Sequence, residues 1–133
     1  MQSLAGLMND WPPQRRRRPT WPQKFWFAIR GIALAFRTQT SFYVHLPVAA
    51  VVLLLCSIVS LDLVSWCLIL LCIGVVLAAE LFNTALEYLA QAITLEDNES
   101  IRGALDVASG AVLITSVTAA IVGSVVFTVA VWR

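Results

Sequence analysis

An all-α membrane protein is the fold class this sequence predicts: an amphipathic N-terminal surface helix followed by three transmembrane helices. Three observations predict it. The chain is 59% hydrophobic and 13% charged, whereas soluble domains carry about 25% charge. Its mean hydropathy is +0.82. The charges are also segregated, leaving residues 38–61, 63–79 and 107–132 without any. A single soluble core of 133 residues could not hide this much apolar surface, but a bilayer absorbs it.

Each element follows in order. Residues 1–23 read as a disordered basic arm, with Pro12, Pro13, Pro19, Pro22 and the run Arg15-Arg16-Arg17-Arg18. Proline density and like-charge repulsion both oppose a fold there. No apolar core follows the charges closely, so the arm is not a secretory signal. It is expected to lie near anionic headgroups and not to bind nucleic acid. Residues 24–38 predict a surface helix, because Lys24, Arg30 and Arg37 interrupt an aromatic and aliphatic segment and Trp26 and Phe27 suit the headgroup zone. The first membrane helix is expected at about 42–60, with Pro47 near its first turns, where a missing amide proton does little harm. Asp62 marks a tight turn. The second helix is expected at about 63–93, its first half in lipid and its last turns polar. The polar loop 94–100 precedes a third helix at about 100–131. Ser100 is the expected N-cap, although Gly103 rather than Glu stands three residues on. Cys56, Cys67 and Cys72 lie in apolar stretches without metal-type spacing and read as buried, reduced packing residues.

Basic residues set the expected orientation. Seven of the nine lie before residue 38, which places the N-terminus in the cytoplasm. The 94–100 loop then falls on the cytoplasmic side and Arg133 outside. The expected location is a cytoplasmic membrane crossed several times.

Charges inside membrane helices are costly, so the ones present mark candidate chemistry. Glu80, Asn83 and Glu87 are spaced by three and four and share one face of the second helix. Asp106 lies one to two turns into the third helix, on the same cytoplasmic side by the topology above. A partly desolvated carboxylate can accept a hydroxyl proton. Others can hold Mg²⁺ through oxygen, together with substrate phosphates. Phosphoryl transfer needs both positioning and charge neutralisation. The structural alternative is that these side chains only bond neighbouring helices or face water. Small residues from Gly103 to Ala111 permit close helix approach. They also leave room for a nucleotide beside the backbone. His45 reads as an interfacial hydrogen-bonding residue rather than a ligand.

The segment AELFNTALE (Ala79–Glu87), followed by ALDVASGAVL (Ala104–Leu113), resembles the prokaryotic diacylglycerol kinase family, which includes undecaprenol kinases. The family's pattern in the second helix is close to E-x-x-N-[ST]-x-x-E. The stretch Ser41–Leu46 is similar to its "FR-x-H" region. The resemblance covers roughly residues 24–132. It implies a homotrimeric lipid kinase that moves the γ-phosphate of ATP, with Mg²⁺, to a lipid hydroxyl, with sites shared between subunits at the cytoplasmic interface. By the same resemblance Glu80 is the general base, Asn83 supports it, Glu87 is a metal ligand, and Asp106 and Gly103 bind nucleotide.

Three positions depart from the family pattern. Gln39 stands where a metal-binding Glu is usual, Leu105 where a phosphate-binding Lys is usual, and Tyr43 where Arg is common. Gln39 can still offer an amide oxygen to a metal. Arg30, Arg37 and Arg102 are candidates to replace the missing phosphate cation. The alternatives are a membrane scaffold that kept the fold without the kinase, or an oligomeric transporter or channel subunit. The acyl-facing Leu, Val and Ile surface does not choose between diacylglycerol and undecaprenol.

Overall fold

The computed structural model describes residues 19–93 and 96–132. It is all-helical, with four helices among those residues: α1 (Trp21–Thr38), α2 (Phe42–Val59), α3 (Leu63–Ile93) and α4 (Glu99–Val131). The last three are long and apolar enough to cross a membrane. The chain divides into two compact units, the first ending at Arg30 and the second beginning at Gly31.

In the first unit, α1 starts at Trp21, earlier than expected. Gln23 Oε1 accepts the Thr20 backbone N–H at 2.9 Å, and the Thr20 carbonyl accepts the Lys24 amide at 3.0 Å. Thr-x-x-Gln thus supplies the reciprocal half of a capping box. Pro22 falls in the first turn, where helices do not use its amide proton. Lys24 Nζ sits 4.8 Å from the Trp21 ring centroid, within cation–π range. Trp21–Gln23 are therefore helical and not part of an unfolded arm. The four-arginine run lies outside the described residues.

In the second unit, the end of α1 is anchored by buried Ala35 and by the Phe36 ring, whose centroid lies 4.7 Å from that of Phe42. Phe42 opens α2 and is fully buried. Pro47 is the sixth residue of α2, deeper than the first-turn positions that need no donor, so the Tyr43 carbonyl loses its i+4 partner. Ser60 ends the helix in the left-handed conformation at φ 54°. The Asp62 carboxylate then accepts the Ser65 amide at 2.9 Å and caps α3.

The cap of α4 corrects the sequence reading. Asn98, not Ser100, is the N-cap, and its side chain accepts the amides of Ser100 and Ile101 at 3.0 and 3.2 Å. Asn is at least as good a cap as Ser. The helix consequently starts at Glu99, whose carboxylate favours the positive end of the helix dipole.

Helix length positions the site. At about 1.5 Å per residue, α2 is roughly 27 Å long, α3 roughly 46 Å and α4 roughly 50 Å. A hydrocarbon core is about 30 Å thick. Since α2 and α3 are joined by a short turn, the excess of α3 and α4 falls at the other end, where α3 finishes and α4 begins. These two helices pack along each other extensively, and α2 touches both more sparsely. The core at the turn end is Cys56, Ile69 and Val126, packed by Val52, Leu61, Trp66, Ile73, Val122 and Phe127. Of the three cysteines only Cys56 is buried; Cys67 is exposed and Cys72 is half-buried, so the expectation of three buried packing thiols fails at α3. Most large apolar side chains of α2, α3 and α4 are exposed, which suits lipid contact rather than water.

Candidate active site

Glu80, Asn83, Thr84 and Glu87 form one stripe on α3, as their spacing of three and four requires. Glu80 and Thr84 are the buried polar side chains among the described residues, at 3% and 4% exposure. An ionised carboxylate out of water needs a donor. Glu80 finds one on another helix: His45 Nε2 lies 2.8 Å from Glu80 Oε1. His45 belongs to the first turn of α2.

One to two turns further along α3, Glu87 is clasped by two amides. Gln39 Nε2 donates to Oε2 at 2.8 Å, and Asn83 Nδ2 donates to Oε1 at 2.8 Å. The Ser109 hydroxyl of α4 reaches Asn83 Oδ1 at 3.5 Å, the outer limit of a hydrogen bond. Beside this clasp, Tyr88 and Thr38 share a 2.6 Å hydroxyl contact. The Thr38 hydroxyl donates to the Leu34 carbonyl at 2.9 Å, so Tyr88 is the donor in that contact. The paired contacts 38–88 and 39–87 fasten the end of α1 to α3.

The structure therefore brings Glu80, Asn83, Glu87 and Gln39 to one stretch of α3. It does not bring Asp106, Gly103 and Arg102 into that network. Asp106 is exposed on α4, one turn nearer the loop than Ser109, which puts it level with Glu87 along the antiparallel pair. Gly103 faces open space, with no heavy atom within 4 Å of where a Cβ would stand. Arg102 pairs with Asp97. A cleft of about 440 Å³ lies between the ends of α3 and α4, and its walls include Glu87, Gln91, Asp97, Arg102 and Leu105. Arg30 is an exposed residue of α1 in the first unit.

Sequence reasoning missed three participants: His45 as the partner of Glu80, buried Thr84, and the Thr38–Tyr88 pair. Thr84 had a signal, since it follows Glu80 by four on the same helix face. The other two join residues 35 and 50 positions apart, which no local pattern reports.

Among the described residues no group of three His, Cys, Asp or Glu side chains is placed to hold a metal ion. The donor chemistry at Glu87 nonetheless fits Mg²⁺. Rotating the terminal amide of Gln39 or Asn83 by half a turn presents an oxygen where an N–H now points. One carboxylate with neutral oxygens is a sufficient protein share for an ion that also takes phosphates and water.

These features define a class: a small helical protein with three helices long and apolar enough to cross a membrane, a buried carboxylate and an oxygen-rich node close to one end of the bundle. The chain matches the family described as "Prokaryotic diacylglycerol kinase" over residues 26–127. It is 35% identical over 105 residues to the undecaprenol kinase of Bacillus subtilis (strain 168), covering 79% of this chain and 85% of that protein. It is 33% identical over 100 residues to a diacylglycerol kinase of Synechocystis sp. (strain ATCC 27184 / PCC 6803 / Kazusa), covering 74% of this chain and 57% of that one. No solved structure matches it. The chain belongs to the prokaryotic diacylglycerol kinase family and is a lipid kinase.

Proposed function

We propose that this lipid kinase uses ATP and Mg²⁺ to phosphorylate the hydroxyl of diacylglycerol or undecaprenol, in a bacterial cytoplasmic membrane. The observation that carries the proposal is buried Glu80, hydrogen-bonded through one oxygen, one turn from the Asn83–Glu87–Gln39 node. Glu80 takes the proton from the lipid hydroxyl as that oxygen bonds to the γ-phosphorus. The bond from phosphorus to the ADP oxygen breaks, and its electron pair leaves with ADP. Asn83, joined to Glu87, keeps this stretch of α3 in register with Ser109 of α4. Glu87, with the amide oxygens of Gln39 and Asn83, would hold Mg²⁺, which when bound neutralises phosphate charge. Gly103 and Asp106 receive the nucleotide on the open side of α4. Arg102 replaces the cation that Leu105 cannot provide. The N-terminus is cytoplasmic, α1 lies in the membrane interface, and three copies assemble so that neighbouring subunits complete each site. The exposed position of Asp106 favours such sharing. Nothing in the site favours a scaffold without activity.

The test is transfer of labelled γ-phosphate from ATP into a lipid panel by purified protein in mixed micelles. Wild type should label diacylglycerol or undecaprenol only when Mg²⁺ is present. Glu80→Gln should lose at least ~1,000-fold in kcat, at the upper end of general-base effects, with an unchanged oligomer and Tm. Wild-type turnover in that variant would remove Glu80 as the base.

A further inference from the structure

Glu80 is the buried charged side chain among the described residues. The side-chain amides of Asn83, on the same face of α3, and of Gln39 are both engaged by Glu87. Among the described residues its donor is the His45 imidazole, from α2, at 2.8 Å. Nε2 carries hydrogen in one neutral tautomer and in the imidazolium, so it can donate to the carboxylate in both. It engages Oε1, which leaves Oε2 as the oxygen to meet a hydroxyl.

The backbone that carries His45 is held firmly on both sides. Phe42, three residues before, is fully buried against the Phe36 ring. Pro47, two residues after, fixes its own φ and stiffens the turn. A side chain held on a rigid element can fix its partner's rotamer, which is what a reacting base requires.

We propose that His45 is a positioning residue for the phosphotransfer reaction: its Nε2–H holds Glu80 Oε1 and so aims Oε2 at the lipid hydroxyl. The inference deepens the reading of Glu80 as the base and rests on it. A merely structural role would make a different demand. A satisfied buried pair keeps the fold together and affects every step alike. A positioning residue acts on the reacting geometry, and its loss falls on kcat. Misplacing a reacting group by about 1 Å costs ~100-fold.

The experiment measures kcat and KM for ATP and for the lipid substrate in His45→Leu and His45→Gln, each checked for oligomer size and Tm. His45→Leu removes the donor and keeps an apolar body. Its kcat should fall ~100-fold, with both KM values within about threefold of wild type. His45→Gln restores an N–H donor at similar reach and should recover at least ~tenfold of that loss. Wild-type kcat in His45→Leu, equal losses in the two variants, or a loss confined to KM would each overturn the inference. If His45→Leu does not assemble, the ¹⁵N resonances of the His45 imidazole decide. They should move on Glu80→Gln substitution in the assembled protein, and unchanged shifts overturn the contact. The two readings fail differently. Wild-type protein that labels no lipid overturns the kinase reading and, with it, the role of His45. Active wild type with inert His45 variants overturns the positioning role alone.

Discussion

The α2–α4 bundle has two ends that are held by different forces. At the turn end, Cys56, Ile69 and Val126 meet with no polar side chain between them. At the other end, α3 is tied by hydrogen bonds to α2 through His45, to the end of α1 through Gln39 and Thr38, and to α4 through Ser109. Ile69 and Glu80 stand 11 residues apart on α3, roughly 17 Å along the axis. The apolar end is non-directional: it sets how far apart the helices lie and tolerates shape-conserving exchange. The polar end is directional, so each side chain there fixes an orientation. In the proposed reaction the chemistry sits at the directional end, where α3 and α4 are longer than the lipid is thick and a water-soluble nucleotide would reach the lipid substrate.

The comparison makes its strongest claim about stability at the turn end. Ile69→Ala removes the central packing side chain, which is 2% exposed. It should cost about 2–5 kcal/mol, the range for truncating a buried Ile. The kcat of the protein that remains folded should be unchanged. Reversible unfolding in mixed micelles, combined with turnover per folded protein, measures both quantities. A large drop in kcat at full folding would mean that the two ends are coupled and that packing at Ile69 sets the geometry of Glu80.

A smaller effect is expected at Gln39, where the two ends differ in charge as well as in shape. Gln39→Glu removes an N–H donor from Glu87 and puts a second carboxylate in its place. Without a divalent cation the like charges repel, and the lost charge-assisted bond costs about 1.5–3 kcal/mol at most. Because the node is half-buried, part of that is screened. Mg²⁺ binding to the folded form should restore the Tm by mass action. Thermal melts with and without Mg²⁺ read this directly, independently of turnover. A variant that melts as wild type in both conditions would show that Glu87 and Gln39 do not form a cation node.

Much of the fold was legible because a bilayer excludes charge. The uncharged runs at 38–61, 63–79 and 107–132 coincide with α2, the first half of α3 and most of α4. The row Glu80–Asn83–Glu87 was legible for a related reason, since spacings of three and four are local and periodic. Contacts between helices were not. His45 read as an interfacial residue, and only the approach of α2 to α3 shows that its partner is Glu80. Gln39 read as a departure that can still offer an oxygen to a metal; only the fold shows that its amide lies beside the Glu87 carboxylate. The start of α1 was misplaced by three residues and the cap of α4 by two. In the loop before α4, Asp97, Asn98 and Ser100 are all good caps, and only the backbone turn at Asn98 selects among them. At α1, Thr20 and Gln23 form half a capping box beside a proline that otherwise signals irregular chain.

The smallest effect expected is at Tyr88. Its hydroxyl donates to Thr38, whose own proton goes to Leu34. This chain closes beside the Gln39–Glu87 contact and limits how the end of α1 can move across α3. The pair is exposed, so water can replace either partner, and the net worth of the bond is about 0.5–1.5 kcal/mol. Tyr88→Phe should therefore lower stability by no more than that, and kcat by no more than about threefold. The double variant with Gln39→Ala separates two descriptions of the clasp. If contacts 38–88 and 39–87 act as one fastening, the two losses should be non-additive by at least about 0.5 kcal/mol. Strict additivity in a double-mutant cycle would make them independent contacts. The polar end would then be a set of separate ties, and its resemblance to a cooperative core would be lost.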